Sequence, residues 1–194
     1  CIARLDHADD KWVLDMQAQH SSAYATRISC LKTITWTRDC KGNVLNPPVQ
    51  QLVAMYGLAK NGNYMLFRDD KDNSAPGTQQ RWHEIQYSVP KIFKGESMAR
   101  ACVVHLDSVT GVEHLIALHD YSGVMSGRYD PSSNNPGHVV WDKTPEKLDL
   151  SLVGNPSALQ TRPLAFASAG GNLYLSSGAW ILRRVDGPKP VWKV

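Results

Sequence analysis

The stretch that most restricts how this chain can fold is residues 163–194. Four short apolar segments, PLAFASAG, GNLYLSSG, AWILRRVDG and PKPVWKV, are separated there by Gly-Gly-Asn, Ser-Ser-Gly and Asp-Gly-Pro-Lys-Pro. Gly and Asn tolerate positive φ and Pro presets a turn, so short gaps of this composition between β-prone segments read as hairpin turns. The stretch is therefore predicted to be a four-stranded antiparallel meander. One such meander cannot bury both of its faces, so it must pack against others.

Its residue order can be sought upstream. A Gly-containing turn, an aromatic two residues on, an Arg, an Asp and a Trp on the final strand correspond to Gly178, Trp180, Arg184, Asp186 and Trp192. The same order recurs as Gly62, Tyr64, Arg68, Asp70 and Trp82, and again as Gly123, Met125, Arg128, Asp130 and Trp141. A weaker copy is Ser22, Tyr24, Arg27 and Trp36, with Ser29 where the Asp would stand. A period of about fifty residues belongs to propeller blades and similar arrays.

The segments preceding each copy agree. KWVLDMQ (11–17), QLVAMYGLA (51–59), EHLIALHD (113–120) and NLYLSS (172–177) supply one strand each, and CIARLD (1–6), ARACVVHLD (99–107) and PLAFASA (163–169) lie one strand earlier. The second unit lacks that earlier strand, because VLNPPV (44–49) carries prolines that cannot donate to a ladder. LDLSLV (148–153) reads as strand or loop. No helical period extends beyond two turns. The fold class is thus all-β, and successive four-stranded meanders point to a β-propeller. About four blades are expected, near 1–40, 44–88, 99–143 and 163–194, closed on themselves or part of a larger ring. A β-sandwich of many short strands is the structural alternative.

The repeat resembles those of propeller proteins in general. In length, four-fold count and a blade of the form GNLYLSSGAWILRRVD (171–186) it is similar to the hemopexin-like four-bladed domains, and RYDP (128–131) ahead of Trp141 is similar to kelch repeats. A likeness to propeller lectins would imply that Tyr24, Tyr64 and Trp180 stack on sugar rings in equivalent pockets between blades, with Arg68, Arg128 and Arg184 holding hydroxyls. The structural alternative is that aromatics fill the space between blades, and it leads for Trp36, Trp82, Trp141 and Trp192.

Composition narrows the function classes. The chain has 194 residues and a net charge of +3, with its basic residues scattered, so neither nucleic acid nor an anionic membrane is the expected partner. It begins at Cys1 without Met and stops on Val194, which reads as a processed product or a piece cut at a module boundary. Cys1, Cys30, Cys40 and Cys102 allow three disulfide pairings and lack the Cys-x-x-Cys spacing of a zinc site. If 31–39 is one extended strand, Cys30 and Cys40 lie about 33 Å apart, too far to bridge without a bend. The compartment stays open, with a secreted chain favoured. Pro156 blocks the sole glycosylation triplet, Asn155-Pro156-Ser157.

Candidate chemistry is sparse. Arg and Asp two apart share one side of a strand, so Arg68/Asp70, Arg128/Asp130 and Arg184/Asp186 read as ion pairs clipping neighbouring blades. A hairpin over 101–120 turning at Ser108-Val109-Thr110-Gly111 would set His105 opposite His114, close enough to share a metal with Asp107 as a third ligand. Asp70-Lys71-Asp72-Asn73-Ser74 opens like a calcium loop but lacks its Gly. There is no Gly-x-Ser-x-Gly, His-Glu-x-x-His or phosphate loop, and Cys1 is the one conceivable N-terminal nucleophile. The leading expectation is a non-catalytic, carbohydrate-binding module without a cofactor. A protein-interaction scaffold is the first alternative, in which another chain or missing blades could complete the ring. A hydrolase or metal-dependent enzyme at the channel mouth is the second.

Overall fold

A computed structural model describes residues 2–6, 11–16, 27–58, 62–68, 82–87, 99–119, 123–149, 163–177 and 180–194. Tyr24 and the 70–74 loop lie outside these residues, and the side chains of Tyr64 and Trp82 lie outside those described. Apart from a 3-10 turn at Pro136–His138, the regular structure among the described residues is all strand.

β1 (Ile2–Asp6) and β2 (Lys11–Met16) pair as an antiparallel hairpin. Three larger sheets follow. The first is β3 (Arg27–Arg38), β4 (Val44–Leu58), β5 (Gly62–Arg68) and β6 (Trp82–Tyr87) in chain order. The second is β7 (Ala99–Leu106), β8 (Glu113–His119), β9 (Gly123–Tyr129) and β10 (Val139–Trp141). In the third, β12 (Pro163–Ala169), β13 (Asn172–Ser177), β14 (Trp180–Val185) and β15 (Val191–Lys193) form the expected meander. β11 (Lys147–Asp149) joins its edge parallel to β15. All-β architecture is therefore established.

Sheet-on-sheet packing explains the sequence of β8. Side chains alternate across a strand, and here both sides meet protein. Leu115 and Ala117 enter a core with Ile34, Trp36, Val53, Met55 and Val139. Ile116 and Leu118 enter another with Val124, Leu173, Leu175, Leu182 and Trp192. The second sheet is thus sandwiched between the first and the third, and its central strand reads as an unbroken apolar run for that reason. Strand β7 touches both β3 and β12, the leading strands of the flanking sheets.

Two features of the first sheet depart from expectation. Strand β3 pairs along its length with β4, so Trp36 stands on the first strand of this sheet and not on the last strand of a preceding unit. Trp82, Trp141 and Trp192 do occupy last strands. The prolines of 44–49 do not end the ladder either. The register runs from Trp36↔Val49 directly to Arg38↔Val44, so Pro47 and Pro48 sit in a bulge where their missing N–H groups cost no cross-strand bond.

That bulge leaves donors on β3 without partners in β4, and the second sheet supplies one. The Glu113 carboxylate accepts from Thr37 N at 2.6 Å, Thr37 Oγ1 at 2.7 Å and Arg38 N at 2.9 Å. Cys40 N also donates to Tyr129 O at 2.6 Å. Close approach fixes the far edge of the second sheet: a Cβ on Gly127 would lie 2.7 Å from Val139 Cγ1.

Candidate functional site

Between the second and third sheets, three carboxylates converge on Arg184, with His105 held against one of them. The arginine is 3% exposed, at the second-last position of the β14 segment WILRRV. Its guanidinium donates to both Glu146 oxygens, to Asp107 Oδ2 at 3.2 Å and to Asp186 Oδ1. Asp186 also accepts from Ser108 N and Ser108 Oγ, each at 2.9 Å, and from His105 Nε2 at 2.9 Å. Trp192 Nε1 donates to Glu146 Oε2 at 2.7 Å. Asp107 accepts from the backbone of Val109, Thr110 and Gly187.

Charges removed from water are tolerable only when paired and fully hydrogen-bonded, and this network meets that condition. Burial pushes the Asp107 carboxyl up, but the N–H groups of Thr110 and Gly187 outweigh it and hold the group at about 2. Asp186 is also lowered: desolvation opposes the shift, and the Ser108 and His105 bonds prevail. Arg184 is raised, its desolvation being more than offset by Glu146 and Asp186. The guanidinium has no free edge for a ligand, so Arg184 is a clasp between sheets.

The hairpin of β7 and β8 turns where the sequence indicates. Asp107 N bonds Val112 O and Gly111 N bonds Asp107 O, with Gly111 at φ 69°. His105 and His114 are direct register partners. Their surroundings differ sharply. His105 is engaged by Asp186, whereas the buried Nδ1 of His114 has no hydrogen-bond partner. Burial first, and then the Arg184 charge, lower His114 below the ordinary imidazole value, so its ring is neutral near pH 7. Among the described residues no group of three or more His, Cys, Asp or Glu side chains has a metal-binding arrangement.

His114 lies on the wall of a cleft of about 520 Å³ beside this network. One rim is the segment that follows β10. It continues along β9 through Asp142 N→Ser126 O and Glu146 N→Val124 O, both 2.8 Å, before Lys147 enters β11. The other rim is Pro188 to Val191, which leads into β15. Arg128, Lys143, Lys147 and Lys189 line the space, against the acidic Asp142 and Glu146. Glu146 is already committed to Arg184, so the cleft carries an excess of positive charge.

The residues singled out from the sequence are therefore distributed unequally. Arg128 lines the cleft but pairs with Asp142, 14 residues along, instead of Asp130. Asp130 caps its own turn by accepting from Ser132 N and Oγ. Trp180 is half-buried against the core of the third sheet, away from the cleft. Arg68 is half-buried on β5. Glu146, Lys143 and Lys189 escaped notice, because they lie in turn-rich segments without a repeat partner. Compared with protein-family models, curated proteins and solved structures, the chain matches none.

Proposed function

We propose that the chain is a non-catalytic binding module of the propeller type that takes an acidic saccharide in the cleft beside His114. The observation that carries the reading is a concave site lined by Arg128, Lys143, Lys147 and Lys189, with the buried, neutral imidazole of His114 in its wall. The cations would hold a carboxylate or sulfate. The volume is within the usual range for small-ligand sites. The propeller reading is supported by three consecutive up-and-down sheets stacked face on face, with leading strands adjacent.

Calorimetric titration with uronate-containing and neutral oligosaccharides tests it. Binding is expected for the acidic set alone, weakened about tenfold by Lys143→Glu with Lys189→Glu, since each cation contributes up to about 1 kcal/mol. Equal affinity for both sets, or none for either, overturns the reading.

A protein-interaction scaffold is the second reading, and the outer face of the third sheet favours it. Ile181 and Val185 are exposed there, Ile181 at 67%, beside exposed Ala165 and Ala167. Sedimentation that detects concentration-dependent association, abolished by Ile181→Lys, would move the weight to this reading.

A further inference from the structure

The two sheets that enclose the first core carry one cysteine each at the point where they meet. Cys30 on β3 and Cys102 on β7 face one another with their sulfurs 4.0 Å apart, although 72 residues separate them in the chain. Both are free thiols. Cys102 is 3% exposed, whereas Cys30 is half-buried and opens toward solvent beside exposed Lys32. The Lys32 ammonium reaches back to Cys102 O at 3.5 Å, which places a cation over the sulfur pair. Cys40 cannot compete for Cys30, because β3 runs extended from Cys30 to Arg38, about 26 Å, before the turn that holds Cys40.

We infer that Cys30 and Cys102 form a disulfide that bolts the first sheet to the second, with Cys30 the sulfur that reacts first. The oxidant is a small-molecule disulfide. The Cys30 thiolate attacks one of its sulfurs, and the donor's bond breaks to release one thiol and leave a mixed disulfide on Cys30. Cys102 then loses its proton and attacks the Cys30 sulfur, expelling the second donor thiol. Two cysteine sulfurs are oxidised, one donor disulfide is reduced to two thiols, and the two cysteine protons end on those thiols.

The roles follow from position. Cys30 is reachable, and its hydrogen bond from Cys102, followed by the nearby Lys32 charge, holds it below an ordinary thiol at about 6. Cys102 is shielded, and its bond to Cys30 together with burial raises it. Closing 4.0 Å to the roughly 2 Å of a disulfide takes side-chain rotation and a small approach of the strands.

The test incubates the full chain with oxidised and reduced glutathione, blocks remaining thiols with N-ethylmaleimide, and maps the peptides by mass spectrometry. A cross-linked peptide joining Cys30 to Cys102 is expected, unchanged in Cys40→Ser and lost in Cys30→Ser. The oxidised protein should melt about 10 °C above the reduced one, since the bond closes a long loop. Alkylation of both thiols after oxidation, a stable glutathione adduct on Cys30, or a bond from Cys30 to Cys1 or Cys40 would each overturn it.

Discussion

At the scale of single residues, Arg184 shows how one side chain can serve three carboxylates and join two sheets. Removing it takes the cationic partner from Glu146, Asp107 and Asp186 and leaves the buried Asp107 and Glu146 without a counter-charge. Arg184→Ala is expected to cost about 4 kcal/mol in urea denaturation, the usual penalty for breaking a buried pair from one side. Arg184→Lys should recover part of this, because a single ammonium cannot reproduce the planar fork.

The same network sets the response to acid. Asp107 is lowered to about 2 in the folded chain, against about 3.9 when unfolded. Its contribution is thus complete above pH ~4 and is lost as pH falls toward 2. His114 is likewise lowered, by burial first; its neutral form stabilises the fold above about pH 6.5, and that stability declines as the unfolded chain takes up the proton. Chemical denaturation across pH should show two successive losses. His114→Gln is expected to remove the first and leave the second.

At the scale of elements, β8 and the β3–β4 bulge carry the packing. Leu115 and Ile116 point in opposite directions, yet each is 0% exposed. Leu115→Ala and Ile116→Ala should therefore each cost about 3 kcal/mol, whereas Ile181→Thr on the open face of β14 should fall within about 0.5 kcal/mol. Glu113 is the matching polar element. Glu113→Ala leaves Thr37 N and Arg38 N without an acceptor at the bulge, for an expected loss of about 3 kcal/mol by the same denaturation assay.

Strand positions were readable at this scale because period-2 apolar patterns and Gly/Asn/Pro turns are local. The β7–β8 register, His105 opposite His114 included, follows from a four-residue turn alone. The 44–49 segment misled, because a proline's missing donor matters only if a partner strand needs it. That depends on a bulge formed with a strand before it. Trp36 misled for a related reason: spacing along the chain does not say which of two sheets a strand will join.

At the scale of the molecule, three sheets are held by two cores and two polar clamps, Glu113 between the first and second sheets and Arg184 between the second and third. The clamps lie in different interfaces and share no residue, so the costs of Glu113→Ala and Arg184→Ala should add to within about 0.5 kcal/mol in the double variant. A strongly non-additive result in the same titration would mean that the second sheet transmits strain between its faces.

The amino-acid sequence by itself determined the all-β class, most strand positions and the 163–194 meander, since each rests on backbone preferences acting over a few residues. It also marked Arg128, Arg184, His105 and His114 as residues to watch. Only the tertiary structure decided their roles. Whether an arginine meets solvent or three carboxylates, whether an imidazole is satisfied, and whether two cysteines 72 positions apart face each other all depend on which sheet faces lie together. Burial and charge pairing act between elements distant in the chain, and no local pattern records them.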